Sequence, residues 1–185
     1  MKRLVVILLV LLLLTGCGKG EAAMEQALRL RGTLREKNCT FDAVVTADFG
    51  DVFYAFRLNC AFESTGEMSF TVLEPETISG ITGKISAQGG ELTFDNVALA
   101  FELLADGQIS PVSGAWVMMQ ALVGGYITSA GVDGEYTRVT IQDTYDADAL
   151  TVDLWLDGQN IPVQGDILWK DRRVLSVKVE NFVMG

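Results

Sequence analysis

Apolar and polar positions alternate on both sides of a Phe-Gly dipeptide in "NCTFDAVVTADFGDVFYAFRLNC", residues 38–60. With Phe49-Gly50 as a two-residue loop, Ala47 faces Val52, Val45 faces Tyr54, Ala43 faces Phe56 and Phe41 faces Leu58. Thr40, Asp42, Thr46 and Asp48 then point the other way. A slip of one residue would throw the two apolar sets onto opposite faces, so the pattern selects this parity. The same count sets Cys39 against Cys60 at a non-hydrogen-bonded pair, where side chains come closest. It predicts a disulfide there; the alternative is two buried free thiols.

The alternation continues along the chain. A five-residue loop from Glu63 to Glu67 lays Met68, Phe70 and Val72 opposite Phe62, Cys60 and Leu58. Gly89-Gly90 is a tight-turn signal pairing Ala87 with Leu92 and Ile85 with Phe94. Asp157 to Asn160 connects Leu150, Val152, Leu154 and Leu156 to Ile161, Val163 and Ile167, and a last strand runs over about residues 173–183 with Leu175, Val177 and Val179 on one face.

Helical spacing replaces alternation twice. Ala23, Ala27, Leu30 and Leu34 form one stripe of a helix over about residues 21–37, weakened at Gly32 by roughly 1 kcal/mol relative to Ala. Ser110-Pro111, a capping residue followed by proline, opens a second helix carrying Val112, Ala115, Trp116, Met119, Leu122 and Val123 up to Gly124-Gly125. The pattern predicts an antiparallel β meander with an N-terminal and a central helix, of class α+β.

The first residues follow neither period. "MKRLVVILLVLLLLTGC" has a basic start, an apolar run from Leu4 to Leu14 that is too short to span a bilayer, and Leu14-Thr15-Gly16-Cys17 at its end. That ending resembles the lipobox of bacterial lipoproteins, in which the signal is cut before the cysteine and its sulfur carries a diacylglyceryl group. The resemblance implies residues 1–16 as a cleaved signal peptide and Cys17 as lipidated; residues 17–20 then make a short tether, and 21–185, with no Pro-, Ser- or Gly-rich linker and no internal repeat, suit a single domain. The resemblance also implies an exported protein, anchored to the outer face of the cytoplasmic membrane or to the outer membrane. Each buried acyl methylene contributes roughly 0.8 kcal/mol, enough for two chains to hold the protein stably. Three or four extended residues would reach no more than about 14 Å, which keeps the domain near the bilayer.

Charge narrows the partners. The chain has 14 basic and 24 acidic residues, and losing Lys2 and Arg3 with the signal leaves a net charge of −12. Such a body repels nucleic acid and anionic head groups, and no nucleic-acid role is expected. With no histidine, Ser-His-Asp and Cys-His catalysis and the usual zinc sites are excluded. No Gly-rich loop opens a helix to hold phosphate. The expectation is a protein without cofactor that is not an enzyme. Asp143, Asp146 and Asp148 in "DTYDADA" could offer oxygens to calcium, but their spacing departs from the twelve-residue calcium loop, and a solvated turn is the plainer reading.

The first three strands turn Phe41, Tyr54, Phe56, Leu58, Phe62, Phe70 and Val72 to one side. They form either a plain core closed by the helices or the incompletely filled concave side of a curved sheet. In the second case Phe41, Tyr54, Phe56, Leu58, Phe62, Phe70, Trp116 and Met119 bind an apolar ligand, a lipid or acyl chain, with the adaptable Met118-Met119 pair covering it.

The order of elements resembles the LolA/LolB-like superfamily of envelope proteins, which includes the regulator RseB. The similar stretches are "FTVLEPETISGITGKISAQGGELTFDN" and "ALTVDLWLDGQNIPVQGDILWKDRRVLSVKVENF". The resemblance implies an open half-barrel, a curved antiparallel sheet with the N-terminal and central helices packed on its concave side, and a hydrophobic cavity for acyl chains or peptide segments. Two functions follow: a membrane-anchored module that shelters an apolar ligand, or an envelope interaction or sensor protein with a solid core and a protein partner.

Overall fold

A computed structural model describes residues 18–48, 50, 53–87, 89–93, 109–146 and 148–185. Helix α1 (Gly18–Leu34) leads into β1 (Cys39–Asp48), β2 (Phe53–Phe62), β3 (Met68–Glu74), β4 (Thr82–Ser86) and β5 (Gly89–Thr93). Helix α2 (Gly114–Gly124) follows, then β6 (Tyr126–Asp133), β7 (Tyr136–Gln142), β8 (Thr151–Leu156), β9 (Pro162–Trp169) and β10 (Arg172–Met184). Among the described residues the strands make one antiparallel ten-stranded sheet ordered β5-β4-β3-β2-β1-β10-β9-β8-β7-β6, with β5 and β6 at its edges. Its two halves meet where β1 pairs with β10, so the first and last strands are joined at the middle. This α+β architecture is consistent with a curved half-barrel.

One face of the sheet is apolar from β2 to β7. Phe56 pairs with Val45, Val45 with Val177, Val177 with Gly165, Gly165 with Leu154 and Leu154 with Val139. All of these positions are buried and belong to the same face, as alternation demands. Both helices join that core. From α1 come Ala27, Leu30 and Leu34, which with the buried Ala23 make up the expected stripe. Helix α1 begins at Gly18, so Gly18 to Gly20, expected as a tether, form its first turn, where Glu21 complements the helix dipole.

Helix α2 is apolar nearly all round, as a helix must be to lie inside a core. Two glycines key it to the sheet. A side chain on Gly114 would come within 3.1 Å of Leu175 and 3.4 Å of Val45, and one on Gly165 within 2.6 Å of the Met118 sulfur. Ser110 is the N-cap, with proline following it as expected, but of a 3-10 turn over Pro111–Ser113 that leads into the helix; the Ser113 hydroxyl accepts from Ser110 N at 3.2 Å and donates to Ser110 O at 2.8 Å.

Turn chemistry moves two registers. The first hairpin turns between Asp48 and Phe53, through four residues where two were expected. The Asp48 carboxylate accepts the Gly50 N–H at 2.7 Å, and Gly50 adopts φ 91°, a left-handed value natural to glycine. The fourth hairpin turns between Ser86 and Gly89, so Gly89 and Gly90 lie in β5 opposite Ser86 and Ile85; Phe94 lies outside the described residues. Both shifts are even numbers of residues, so every face is kept. The β2–β3 hairpin has the expected pairs, Phe62 with Met68, Cys60 with Phe70 and Leu58 with Val72.

Candidate functional site

Of the residues expected to hold an apolar ligand, Phe41, Phe56, Leu58, Phe62, Phe70 and Met119 come together in one core. Phe41 is 1% exposed and Met119 0%. Trp116 is half-buried on the outer side of α2, where its indole N–H donates to Gly66 O at 3.0 Å. Gln120 donates to the same carbonyl, so α2 holds the β2–β3 loop. Tyr54 departs from expectation at 48% exposed. It shares the inner face with Phe56, whose ring it stacks on at 6.4 Å, but it lies beyond the end of β3, whose last residue pairs with Arg57.

The cysteines are also placed differently. The longer first turn sets Cys39 against Phe62 and Cys60 against Phe41, so the two are diagonal neighbours on the buried face and not a direct pair. Diagonal Cα atoms lie roughly 7–8 Å apart, wider than the usual disulfide span. Both are buried free thiols. Burial pushes the Cys39 thiol up to about 12, and burial, then Asp42 and Cys39, pushes Cys60 up further. Neither is poised as a nucleophile. Cys17 lies outside the described residues.

Asp143, Asp146 and Asp148 do not converge. Asp143 accepts from Leu150 N at 2.9 Å, the Asp146 N–H bonds Thr144 at 3.3 Å, and Asp148 lies 3.6 Å from Lys170. They shape an exposed turn. Among the described residues no three potential metal-ligating side chains cluster.

Surface clefts among the described residues include three. The largest of these, about 510 Å³, lies on the outer face over two cross-strand rows, Asn59-Thr71-Thr82 and Ala61-Ser69-Lys84. A second, about 380 Å³, runs between α2 and the β7–β8 turn, past Trp116, Gln120, Asp143 and Leu150. A third, about 220 Å³, lies by Asn38, Phe62 and Val183. Only Phe70, Trp116 and Phe62 of the expected ligand residues touch any of the three.

The outer face also carries polar networks that the sequence did not reveal. Asp153 on β8 is directly opposite Asp166 on β9. Such a like-charged pair is tolerable only when both are neutralised. Asp153 receives Arg138 at 2.6 Å and Thr140 at 2.7 Å. Asp166 receives Ser176 at 2.7 Å, Gln164 at 3.2 Å and Arg173 at 3.3 Å. Every carboxylate oxygen is engaged, which makes this a balanced ladder and not an acid–base pair awaiting substrate. The only sequence clue was a charge flanked by apolar residues in "TVDLWL", on the alternate face of a strand.

Family models match no part of the chain, and no curated protein matches it. The chain is similar in structure to an uncharacterized conserved protein from Thermus thermophilus, with 10% identity, TM-score 0.49 and coverage of 89% of this chain and 88% of that one. It is similar to a LolA superfamily protein from Nitrosomonas europaea, with 8% identity, TM-score 0.41 and coverage of 90% and 93%. A chain of the Pseudomonas aeruginosa MucA/MucB complex gives 12% identity and TM-score 0.41 over 89% of this chain and 57% of that one. Likenesses at this level extend to no ligand, partner or activity.

Proposed function

We propose that this protein is a membrane-anchored envelope lipoprotein that acts through its surface on a protein partner, with a filled half-barrel as scaffold. The ending Leu14-Thr15-Gly16-Cys17 supports export, cleavage before Cys17 and a lipid anchor on its sulfur. The single domain after it is taken to curve around α1 and α2. The observation that carries the scaffold reading is the seating of α2: Met118 occupies the recess left by Gly165, and Met118 and Met119 are both 0% exposed. An apolar guest would have to displace that helix. The net charge of −12 after cleavage favours a partner with a basic surface.

Native mass spectrometry of protein purified from cells tests the scaffold reading. The expected result is the mass of the acylated chain with no further bound lipid. A stoichiometric lipid beyond the anchor would replace this reading with an apolar-ligand carrier. Cys17→Ala is expected to release the protein from membranes, and retention of that variant would overturn the anchor.

A further inference from the structure

The strand at one edge, β6, reads "YITSAGVD" and carries no charge from Tyr126 to Val132, in a chain with 24 acidic residues. Val132 is 60% exposed, Tyr126 40% and Tyr136, just past the hairpin, 36%. Tyr145, 79% exposed, lies against Tyr126 with ring centroids 3.5 Å apart and the planes tilted by 37°. Three of the chain's four tyrosines therefore line this edge. The acids nearby flank the tyrosines at its two ends: Asp133, directly opposite Tyr136, with Glu135 and Asp157 beside that ring at one, and Asp143 and Asp146 around Tyr145 at the other. Tyrosine rings present an apolar body with a polar tip, the composition suited to the boundary between acyl chains and water.

The start of the folded chain lies against the same strand. Helix α1 packs on β6, and a Cβ at Gly20 would lie 3.5 Å from the Ala130 carbonyl oxygen, an ordinary contact distance. Cys17 immediately precedes Gly18, where α1 begins, and three residues of helix rise only about 4.5 Å. A lipid on Cys17 is thus delivered beside β6 and not at the far side of the sheet.

We infer that the β6 edge, with Tyr126, Val132, Tyr136 and Tyr145, is the surface this protein lays against the lipid bilayer. The inference rests on the anchored reading above and adds its orientation. The acids at either end remain in water, and β2, with Tyr54, lies six strands away, about 29 Å along the sheet.

The test uses the full-length chain, exported and acylated in a bacterial host, labelled with meta-fluorotyrosine and reconstituted in phosphatidylcholine vesicles containing a gadolinium-chelate lipid. Single Tyr→Phe variants assign the four fluorine resonances. Tyr126, Tyr136 and Tyr145 should broaden several-fold more than Tyr54. Equal broadening of all four, or stronger broadening of Tyr54, in a sample whose intact mass shows the acyl group would overturn the orientation and leave the anchor standing. An intact mass without acyl on Cys17 would remove the anchor and the orientation together.

Discussion

Arg31 of α1 donates through Nε to the carbonyl of Leu122, 2.6 Å away on the last turn of α2, and through its terminal nitrogen to Gly125 O at 2.9 Å. Arg35 reaches Val123 O from two nitrogens, at 2.7 and 3.1 Å. The closing carbonyls of a helix have no partner within it, and here they accept from the preceding helix. Positive charge at that end also opposes the negative pole of the α2 dipole. One helix is thereby the cap of the other.

Replacing Arg31 by Leu is expected to lower stability by about 2 kcal/mol, since it removes two charge-assisted bonds from a half-buried end. Arg31→Lys should recover only part, because a single ammonium does not reproduce the fork. Urea denaturation of the three proteins checks both, and a Lys variant as stable as the parent would mean that charge alone suffices.

Gly165→Ala should be costly for a position in a plain strand. Its Cβ would meet the Met118 sulfur at 2.6 Å and Cγ at 2.8 Å, and Met118, wholly buried, has nowhere to retreat. A loss of about 1–3 kcal/mol is expected, as for overpacking in other cores. With Met118→Ala already present, the same change should cost much less. A double-mutant cycle of thermal or urea unfolding measures the coupling, and simple additivity would contradict the keyed seating of α2.

The elements in this clamp show what was legible beforehand. The stripe Ala23-Ala27-Leu30-Leu34 was readable because helical spacing is local, and the Phe62–Met68 pairing because loop length and alternation agreed. In the first hairpin, alternation set the faces but could not set the register, since a shift of two residues preserves every face. That depended on the Asp48–Gly50 turn. The recess for Met118 exists only because Gly165 has no side chain, and the two residues meet across the core. Arg31 and Leu122, or Asp153 and Asp166, are likewise brought together by topology, which no spacing along the chain encodes. Tyr54 read as core for the same reason: its strand outruns its neighbour, and sequence alternation does not show where a neighbour stops.

Acid should release one outer-face network. Asp42 accepts from Asn59 at 2.9 Å and from Asn181 at 2.8 Å, with Arg57 at 3.6 Å. Asn181 reaches it from a β-bulge in β10, at φ 52°. The Asn59 bond above all, then that from Asn181, holds the Asp42 carboxyl below the usual carboxylate range. A folded-state value below the unfolded one gives stability that is present above about pH 4 and lost as pH falls through the folded value. Asp42→Asn should therefore be less stable near neutrality and lose less on going to about pH 2.5. Urea midpoints across that range test it, and parallel losses in parent and variant would show that Asp42 contributes nothing.

The thiols should do the reverse at high pH. Cys39 and Cys60 are buried side by side on one face, and both titrate well above a free thiol. Their folded values exceed the unfolded ones, so their contribution is intact below about pH 8.5 and declines above it as the unfolded chain sheds protons first. Stability should fall between about pH 8.5 and about pH 11, and the fall should be shallower when both are Ala. In the native state an alkylating reagent should react slowly, because the nucleophilic thiolate is scarce and enclosed. Once denatured without reductant, a Cys17→Ser protein should titrate two thiols. Recovery of none would mean that export has joined Cys39 to Cys60, which requires β1 and β2 to yield from the diagonal register, and the alkaline fall would then vanish with the thiols.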